Sequence, residues 1–78
     1  MELKVYSAFK SYFEDKVYSI SAVNHTGPFD ILPRHHNFMC LLKAGNLQIN
    51  APSGDQVIAI NQGLMHVKAD RVVIFLDT

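Results

Sequence analysis

Residues 27–38 read Gly27-Pro28-Phe29-Asp30-Ile31-Leu32-Pro33-Arg34-His35-His36-Asn37-Phe38, and this segment decides the fold class. Each proline removes a backbone donor, fixes φ and disfavours helix at the residue before it. We therefore expect extended or turn conformations at Gly27 and Leu32. Phe29, Ile31 and Leu32 are too apolar for a solvated loop, which predicts a short strand anchored in a core. A turn at Pro33-Arg34 should lead into the next strand.

Short strand patterns bounded by turn residues lie on both sides of this segment. Leu3 and Val5 alternate with Lys4 and Tyr6, as expected for a half-buried strand. The sequence predicts strands at residues 3–8, 12–14, 16–23, 38–42, 46–51, 56–61, 64–68 and 71–76. For residues 9–14 a single helical turn is the alternative to a short strand, and we favour the strand because six residues are too few for a stable helix.

Turn residues divide these patterns into hairpins. Pro52-Ser53-Gly54-Asp55 predicts one hairpin turn, and Ala69-Asp70 predicts a second, tighter one. The segment 72–76 is apolar on both faces, so we expect protein to cover both sides of that strand. Many short strands without a helical period predict an all-β sandwich or barrel, with residues 1–78 as a single domain.

Composition limits the classes of partner. Seventy-eight residues bury only about 60% of the unfolded chain's surface, so an obligate partner is plausible. The formal net charge is zero and no basic run is present, which argues against nucleic acid. The one cysteine, Cys40, cannot form an internal disulfide and fits a reducing, cytosolic setting. No apolar stretch is long enough to cross a bilayer and no signal peptide is evident, so any membrane link must be through another protein.

The residue patterns argue against chemistry in this chain. There are four histidines, His25, His35, His36 and His66, but no metal-ligand spacing, and adjacent residues in an extended segment point to opposite faces. Cys40 and His36 would be about 13 Å apart on a strand, too far for a nucleophile and its base. No phosphate-binding glycine loop is present. We expect no catalytic residue, no metal and no cofactor.

Surface recognition is the remaining possibility. Asp30, Arg34, His35, His36 and Asn37 lie around a proline-stiffened turn, and rigid loops of this kind commonly carry binding contacts. The alternative is that Arg34 and His36 are ordinary solvated turn residues and that His35 hydrogen-bonds its own backbone.

The motif Ile31-Leu32-Pro33-x-His35, followed by an apolar strand and then by Leu42-Lys43-Ala44-Gly45-Asn46-Leu47-Gln48-Ile49, resembles the β-sandwich domain of the ε subunit of rotary ATP synthases. Residues 3–8 resemble the first strand of that family, residues 62–67 its glycine-led penultimate strand and residues 72–78 its closing strand. The resemblance covers nearly the whole chain in order. It implies a small sandwich of about ten short strands. In most members a two-helix hairpin follows; this chain stops at Asp77-Thr78, so we expect that C-terminal hairpin to be absent.

The resemblance also implies partners and contact residues. In the family, the loop before Ile-Leu-Pro touches the c ring, and the histidine after the proline, matched here by His35, lies near the γ subunit. Three positions depart from the family pattern: Pro28 replaces a common acidic residue, and Asp30 and Arg34 each replace glycine. A second family surface includes the glycine-led bend, where Met65 could be an adaptable contact or ordinary core. The expected partner-binding residues are Pro28, Asp30, Arg34, His35, His36 and Met65.

These implications define the functional hypothesis. We expect a non-catalytic subunit that links γ to the c ring during proton-driven ATP synthesis. It would be cytoplasmic and peripherally associated with the inner or plasma membrane through the synthase. The alternative is a free-standing sandwich that binds another protein or a small ligand, and a third hypothesis is an enzyme that uses His35 or His36.

Overall fold

The computed structural model describes residues 1–32 and 37–77, and these residues form nine β-strands and no helix. The strands are β1 (Glu2–Tyr6), β2 (Ser11–Lys16), β3 (Ser19–Asn24), β4 (Gly27–Ile31), β5 (Phe38–Leu42), β6 (Gly45–Asn50), β7 (Gln56–Ile60), β8 (Gly63–Lys68) and β9 (Arg71–Leu76). The predicted all-β class is confirmed. The turn predicted at Pro33-Arg34 lies outside the described residues.

The strands form two sheets that enclose one apolar core. The larger sheet has the order β2-β1-β9-β8-β5 and the smaller sheet the order β4-β3-β6-β7. All pairings are antiparallel except that of β1 with β9, which is parallel. Both sheets contribute to the core, whose largest fully buried side chains are Leu3, Val5, Ile20, Ile31, Leu42, Leu47, Ile49, Met65, Val67, Val72, Ile74 and Leu76. This is the small β-sandwich that the sequence predicts.

Local sequence explains most of the strand boundaries. Leu3 and Val5 point inward while Glu2 and Lys4 stay exposed, so the predicted alternation in β1 is confirmed. The hairpins β6–β7 and β8–β9 form at the predicted turns. Residues 11–16 form β2, which confirms the strand over the helical turn.

The single strand predicted at residues 16–23 is wrong, because the chain changes sheet inside it. Lys16 ends β2 in the larger sheet, and Ser19 begins β3 in the smaller one. Between them, the backbone N–H of Val17 donates to Met1 O at 2.8 Å, and that of Tyr18 donates to Asn50 O at 2.7 Å. The first bond reaches the larger sheet and the second the smaller one, so these two residues form the crossing.

Two expectations about burial are also corrected. Leu32 follows the end of β4 and is exposed, although its apolar character predicted an anchored position. In β9, Val72, Ile74 and Leu76 fill the core, whereas Val73 is half-buried and Phe75 is exposed. Nothing in the described part of the chain covers the outer side of β9. The strand is therefore buried on one face and not on two.

No helix long and apolar enough to cross a membrane occurs within residues 1–32 and 37–77.

Candidate protein-docking surface

The edge strand β4 carries two of the sequence-predicted contact residues. Pro28 and Asp30 are exposed on the outer side of the smaller sheet, where β3 is the one strand paired with β4 among the described residues. A proline is tolerated on an edge strand because its missing N–H removes no bond from the sheet interior. The Ser21 hydroxyl donates to Asp30 Oδ1 at 2.6 Å, so the cross-strand neighbour holds this carboxylate in place.

Three further predicted contacts, Arg34, His35 and His36, lie outside the described residues. The structure does describe the residue that follows them. Asn37 accepts a hydrogen bond from the backbone N–H of Ala69 at its Oδ1, with an N–O distance of 2.7 Å. This bond ties the entry to β5 to the turn between β8 and β9. In the sequence, residues 32–37 link β4 of the smaller sheet to β5, which is an edge strand of the larger one.

Met65 does not belong to an exposed surface. Its side chain is 0% exposed and packs in the core from the inner face of β8, so the core alternative is the correct one. The outward positions of the same strand belong to Leu64, His66 and Lys68. Met65 is therefore not available as a partner contact in the folded chain, because neighbouring strand residues point to opposite faces and Met65 points inward.

The outer side of the larger sheet carries an apolar surface that the sequence reasoning missed. Strand register places four residues side by side across four strands, and we call them the apolar row: Leu41, Leu64, Phe75 and Tyr6. The rings of Tyr6 and Phe75 meet edge to face with centroids 5.1 Å apart. The exposed fractions are 70% for Leu41, 40% for Leu64 and 37% for Phe75. Adjacent apolar side chains that remain open to water mark an interaction surface.

A second row, of both apolar and charged residues, lies next to the apolar row and is displaced from it by two residues along each strand. It runs through Met39, His66, Val73, Lys4 and Glu14. Met39 extends the apolar surface along β5, and Lys4 lies over the ring of Tyr6 at 5.2 Å from its centroid. The apolar surface therefore lies mainly on strands β5, β8 and β9, and charged residues become more frequent on β1 and β2.

The third row of this face is charged. It comprises Lys68, Arg71, Glu2 and Lys16, again as direct cross-strand neighbours. Arg71 Nη2 and Glu2 Oε2 are 3.4 Å apart, and both side chains are largely exposed. An ion pair of this kind contributes little to stability, on the order of 0–1 kcal/mol. These charges therefore contribute little to the stability of the fold, and they are available to interact with a charged partner.

One signal in the sequence pointed to this face. The β9 segment is apolar at outward as well as inward positions, and β5, with the sequence Phe-Met-Cys-Leu-Leu, contains no charge. The described chain covers the inner face of β9, and the apolar outer face is open to cover by another protein.

The described residues show little that could support catalysis. Residues 1–32 and 37–77 contain no group of three His, Cys, Asp or Glu side chains placed to hold a metal ion. Burial raises the pKa of the Cys40 thiol above its ordinary value, while a hydrogen bond with the Asn24 side chain acts in the opposite direction. A raised pKa keeps the thiol protonated and poorly nucleophilic at neutral pH. What the surface offers is contact area and charge.

Comparison with protein families gives a match over the full length. Residues 1–78 match the family described as ATP synthase, Delta/Epsilon chain, beta-sandwich domain. The chain is 32% identical over 78 residues to the ATP synthase epsilon chain of Vesicomyosocius okutanii and 28% identical to that of Geotalea uraniireducens. Each alignment covers 100% of this chain and 56% of the relative. The chain thus spans about half the length of the curated relatives it matches.

Solved structures show the same fold. A chain from the central stalk and c-ring structure of the Tetrahymena thermophila mitochondrial ATP synthase superposes with a TM-score of 0.86 at 19% identity, covering 100% of this chain and 63% of that one. A chain from the Euglena gracilis mitochondrial ATP synthase superposes with a TM-score of 0.86 at 21% identity, covering 95% of this chain and 48% of that one. At these identities the likeness establishes the sandwich architecture.

Proposed function

The chain belongs to the ATP synthase delta/epsilon family, through its β-sandwich domain, and on this premise we propose that it is a non-catalytic central-stalk subunit that links γ to the c ring. One observation carries the proposal beyond family membership. The outer side of the larger sheet presents a continuous apolar row, Leu41, Leu64, Phe75 and Tyr6, that no other part of the described chain covers. A subunit whose work is mechanical needs such a surface, because buried apolar contact is what fixes one protein to another.

We assign the apolar row to the γ subunit. The segment that carries His35 leads directly into β5, whose outward residues Met39 and Leu41 belong to this face. Five strands about 4.8 Å apart and about five residues long give the face roughly 400 Å². A standard interface takes about 800 Å² from each partner. The γ subunit would therefore extend past the sheet, and the family resemblance adds Arg34, His35 and His36 to the proposed interface.

We assign the opposite side of the molecule to the c ring. Pro28 and Asp30 are exposed on the outer side of the smaller sheet, away from the apolar row. Two surfaces on different sheets allow the chain to hold a ring and a shaft at the same time. Such a subunit would sit at the cytoplasmic side of the membrane and be attached to it only through the ring.

The departures at Pro28, Asp30 and Arg34 favour one alternative, a free-standing sandwich that binds a different protein or a small ligand. Purification from cells separates the two functions. Recovery with γ and c subunits supports the synthase, whereas a stable complex that lacks both supports the alternative.

The proposal predicts that a charge in the apolar row prevents γ binding. Leu41→Asp places a carboxylate at an exposed outward position of β5, where it would be buried unpaired when γ docks. We expect the affinity for purified γ, measured by titration calorimetry, to fall by at least about tenfold, which corresponds to about 1.4 kcal/mol.

Val57→Asp is the matched control. Val57 is an exposed apolar residue on β7, an edge strand of the other sheet. This variant should bind γ within about twofold of the wild type, because the substitution lies outside the proposed surface. Equal loss from both substitutions, or no loss from Leu41→Asp, would contradict the assignment of γ to the larger sheet.

A further inference from the structure

The charges on the outer side of the larger sheet are unbalanced, although the whole chain is formally neutral. Four basic residues lie at outward positions, namely Lys4, Lys16, Lys68 and Arg71, whereas Glu2 and Glu14 are the two acidic ones. The face therefore has an excess of two positive charges. One further acidic residue, Asp70, lies beside this face in the turn between β8 and β9.

Contacts within the chain identify which charges remain available. Arg71 pairs with Glu2, and Glu14 is the cross-strand neighbour of Lys4. The Met1 amino group lies 3.2 Å from Asp70. Neither Lys16 nor Lys68 forms an ion pair with any residue among 1–32 and 37–77.

These two lysines line the same shallow depression, where Arg71 is also basic and Glu2 and Asp70 are acidic. In the charged row they flank the Arg71–Glu2 pair, one on β2 and one on β8. Four adjacent strands separate their backbones by about 14 Å. Covering them with an apolar surface would be costly, because an ammonium group loses its hydration without gaining a partner.

We propose that the protein docked on this face presents a carboxylate to each of Lys16 and Lys68, whose backbones are about 14 Å apart, beside the apolar strip that covers the apolar row. The inference rests on the proposed function, because it describes the chemistry of the γ surface that would bind here. Complementary charge at the rim of an apolar contact sets the orientation of docking and accelerates association. The apolar row then supplies the affinity.

A membrane surface fits these residues less well. Recognition of anionic lipid by charge uses clusters of about four to eight Lys or Arg residues, whereas the four basic residues here leave an excess of only two positive charges. Here Glu2 and Glu14 lie among the basic residues, and the apolar side chains form a flat sheet face, which cannot insert between lipids as a helix does. A flat protein surface with acidic residues would complement both the excess positive charge and the flat shape of this sheet face.

The test is the salt dependence of association between this chain and purified γ, measured by surface plasmon resonance. We expect Lys16→Gln and Lys68→Gln each to lower the association rate constant roughly fivefold in about 20 mM NaCl. In about 500 mM NaCl, where the screening length is only about 4 Å, the difference should disappear. Dissociation rates should change little, because the apolar row is intact.

Gln48→Glu is the matched control, since it also lowers the net charge by one but lies exposed on β6 in the smaller sheet. Its association rate should match the wild type. If the control slows association as much as the lysine variants, net charge and not this depression governs the encounter, and the inference is wrong.

The remaining outcomes separate the inference from the proposed function. Tight binding of γ that is insensitive to salt and to both lysine substitutions would overturn the inference and leave the function standing. Failure of the wild type to bind γ at either salt concentration would remove the proposed function and the inference with it. Binding of phosphatidylserine vesicles that the Lys16→Gln/Lys68→Gln double variant abolishes would assign this surface to lipid and overturn the inference.

Discussion

At the scale of single residues, the start of β8 illustrates how the two faces of the larger sheet are assigned. The residues concerned are Gly63, Leu64 and Met65. A Cβ atom on Gly63 would lie 3.0 Å from the Phe75 carbonyl oxygen and 3.1 Å from Leu76 Cδ2, which is too close for an ordinary contact. The glycine therefore lets the start of β8 pack closely against β9. In the resulting register Met65 enters the core and Leu64 joins the apolar row.

This arrangement predicts stability effects of very different size for two neighbouring truncations. Met65→Ala should lower the free energy of unfolding by about 2–5 kcal/mol, because it leaves a cavity in a fully buried site. Leu64→Ala should change it by less than about 0.5 kcal/mol, because it removes an exposed side chain. Urea denaturation measures both. Similar stability losses in the two variants would show that the register of β8 is misassigned.

The same residues show how far sequence can predict a surface. In β1, Lys4 between Leu3 and Val5 identifies the inner face, because a charge marks the solvent side. In β8 and β5 the pairs Leu64-Met65 and Met39-Cys40 carry no such mark, since both members are apolar. Which residue of each pair points into the core depends on how the strand pairs with strands that are distant in sequence. The residues of the apolar row were for that reason not predictable from local pattern.

At the scale of elements, the β8–β9 hairpin has a turn of two residues in which Ala69 adopts φ 54°. Type I′ and type II′ hairpin turns both require a positive φ at this position, where glycine is favoured. An alanine there is strained because its Cβ crowds the backbone. The turn was predicted from Ala69-Asp70. The positive φ of Ala69 was not, because glycine is the residue that usually signals it and no glycine is present in this turn.

Ala69→Gly should therefore stabilise the chain by about 0.5–1 kcal/mol, the relief of strain exceeding the added chain entropy of glycine. Ala44→Gly is the control, since Ala44 is an exposed loop residue without a positive φ. That variant should lose about 0.5–1 kcal/mol, because glycine only makes the unfolded chain more flexible. Thermal unfolding followed by circular dichroism compares the two. A loss of stability in both would contradict the strain at Ala69.

The elements also show where sequence reasoning failed. Residues 16–23 have strand character throughout, so local pattern joined them into one strand. The division at Val17 and Tyr18 arises from hydrogen bonds to Met1 and Asn50, which are distant in sequence. A change of sheet is a tertiary event, and strand propensity carries no information about it.

At the scale of the whole molecule, the class and architecture were predictable because turn residues fix short strands and short strands close into a sandwich. The proposed docking face was not predictable, because its residues are brought together by the register of four strands of one sheet. Of the predicted contacts, Pro28 and Asp30 are exposed as expected, and Met65 is buried. The assignments of Arg34, His35 and His36 remain predictions.

The central claim is that the larger sheet faces γ in the assembled synthase, and site-directed photo-crosslinking tests it most directly. In a Cys40→Ser background, a benzophenone reagent would be attached at Leu41→Cys or, separately, at Val57→Cys, and adducts would be identified by mass spectrometry. We expect position 41 on β5 to cross-link to γ and position 57 on β7 to give no γ adduct. A γ adduct from position 57 with none from position 41 would contradict the account.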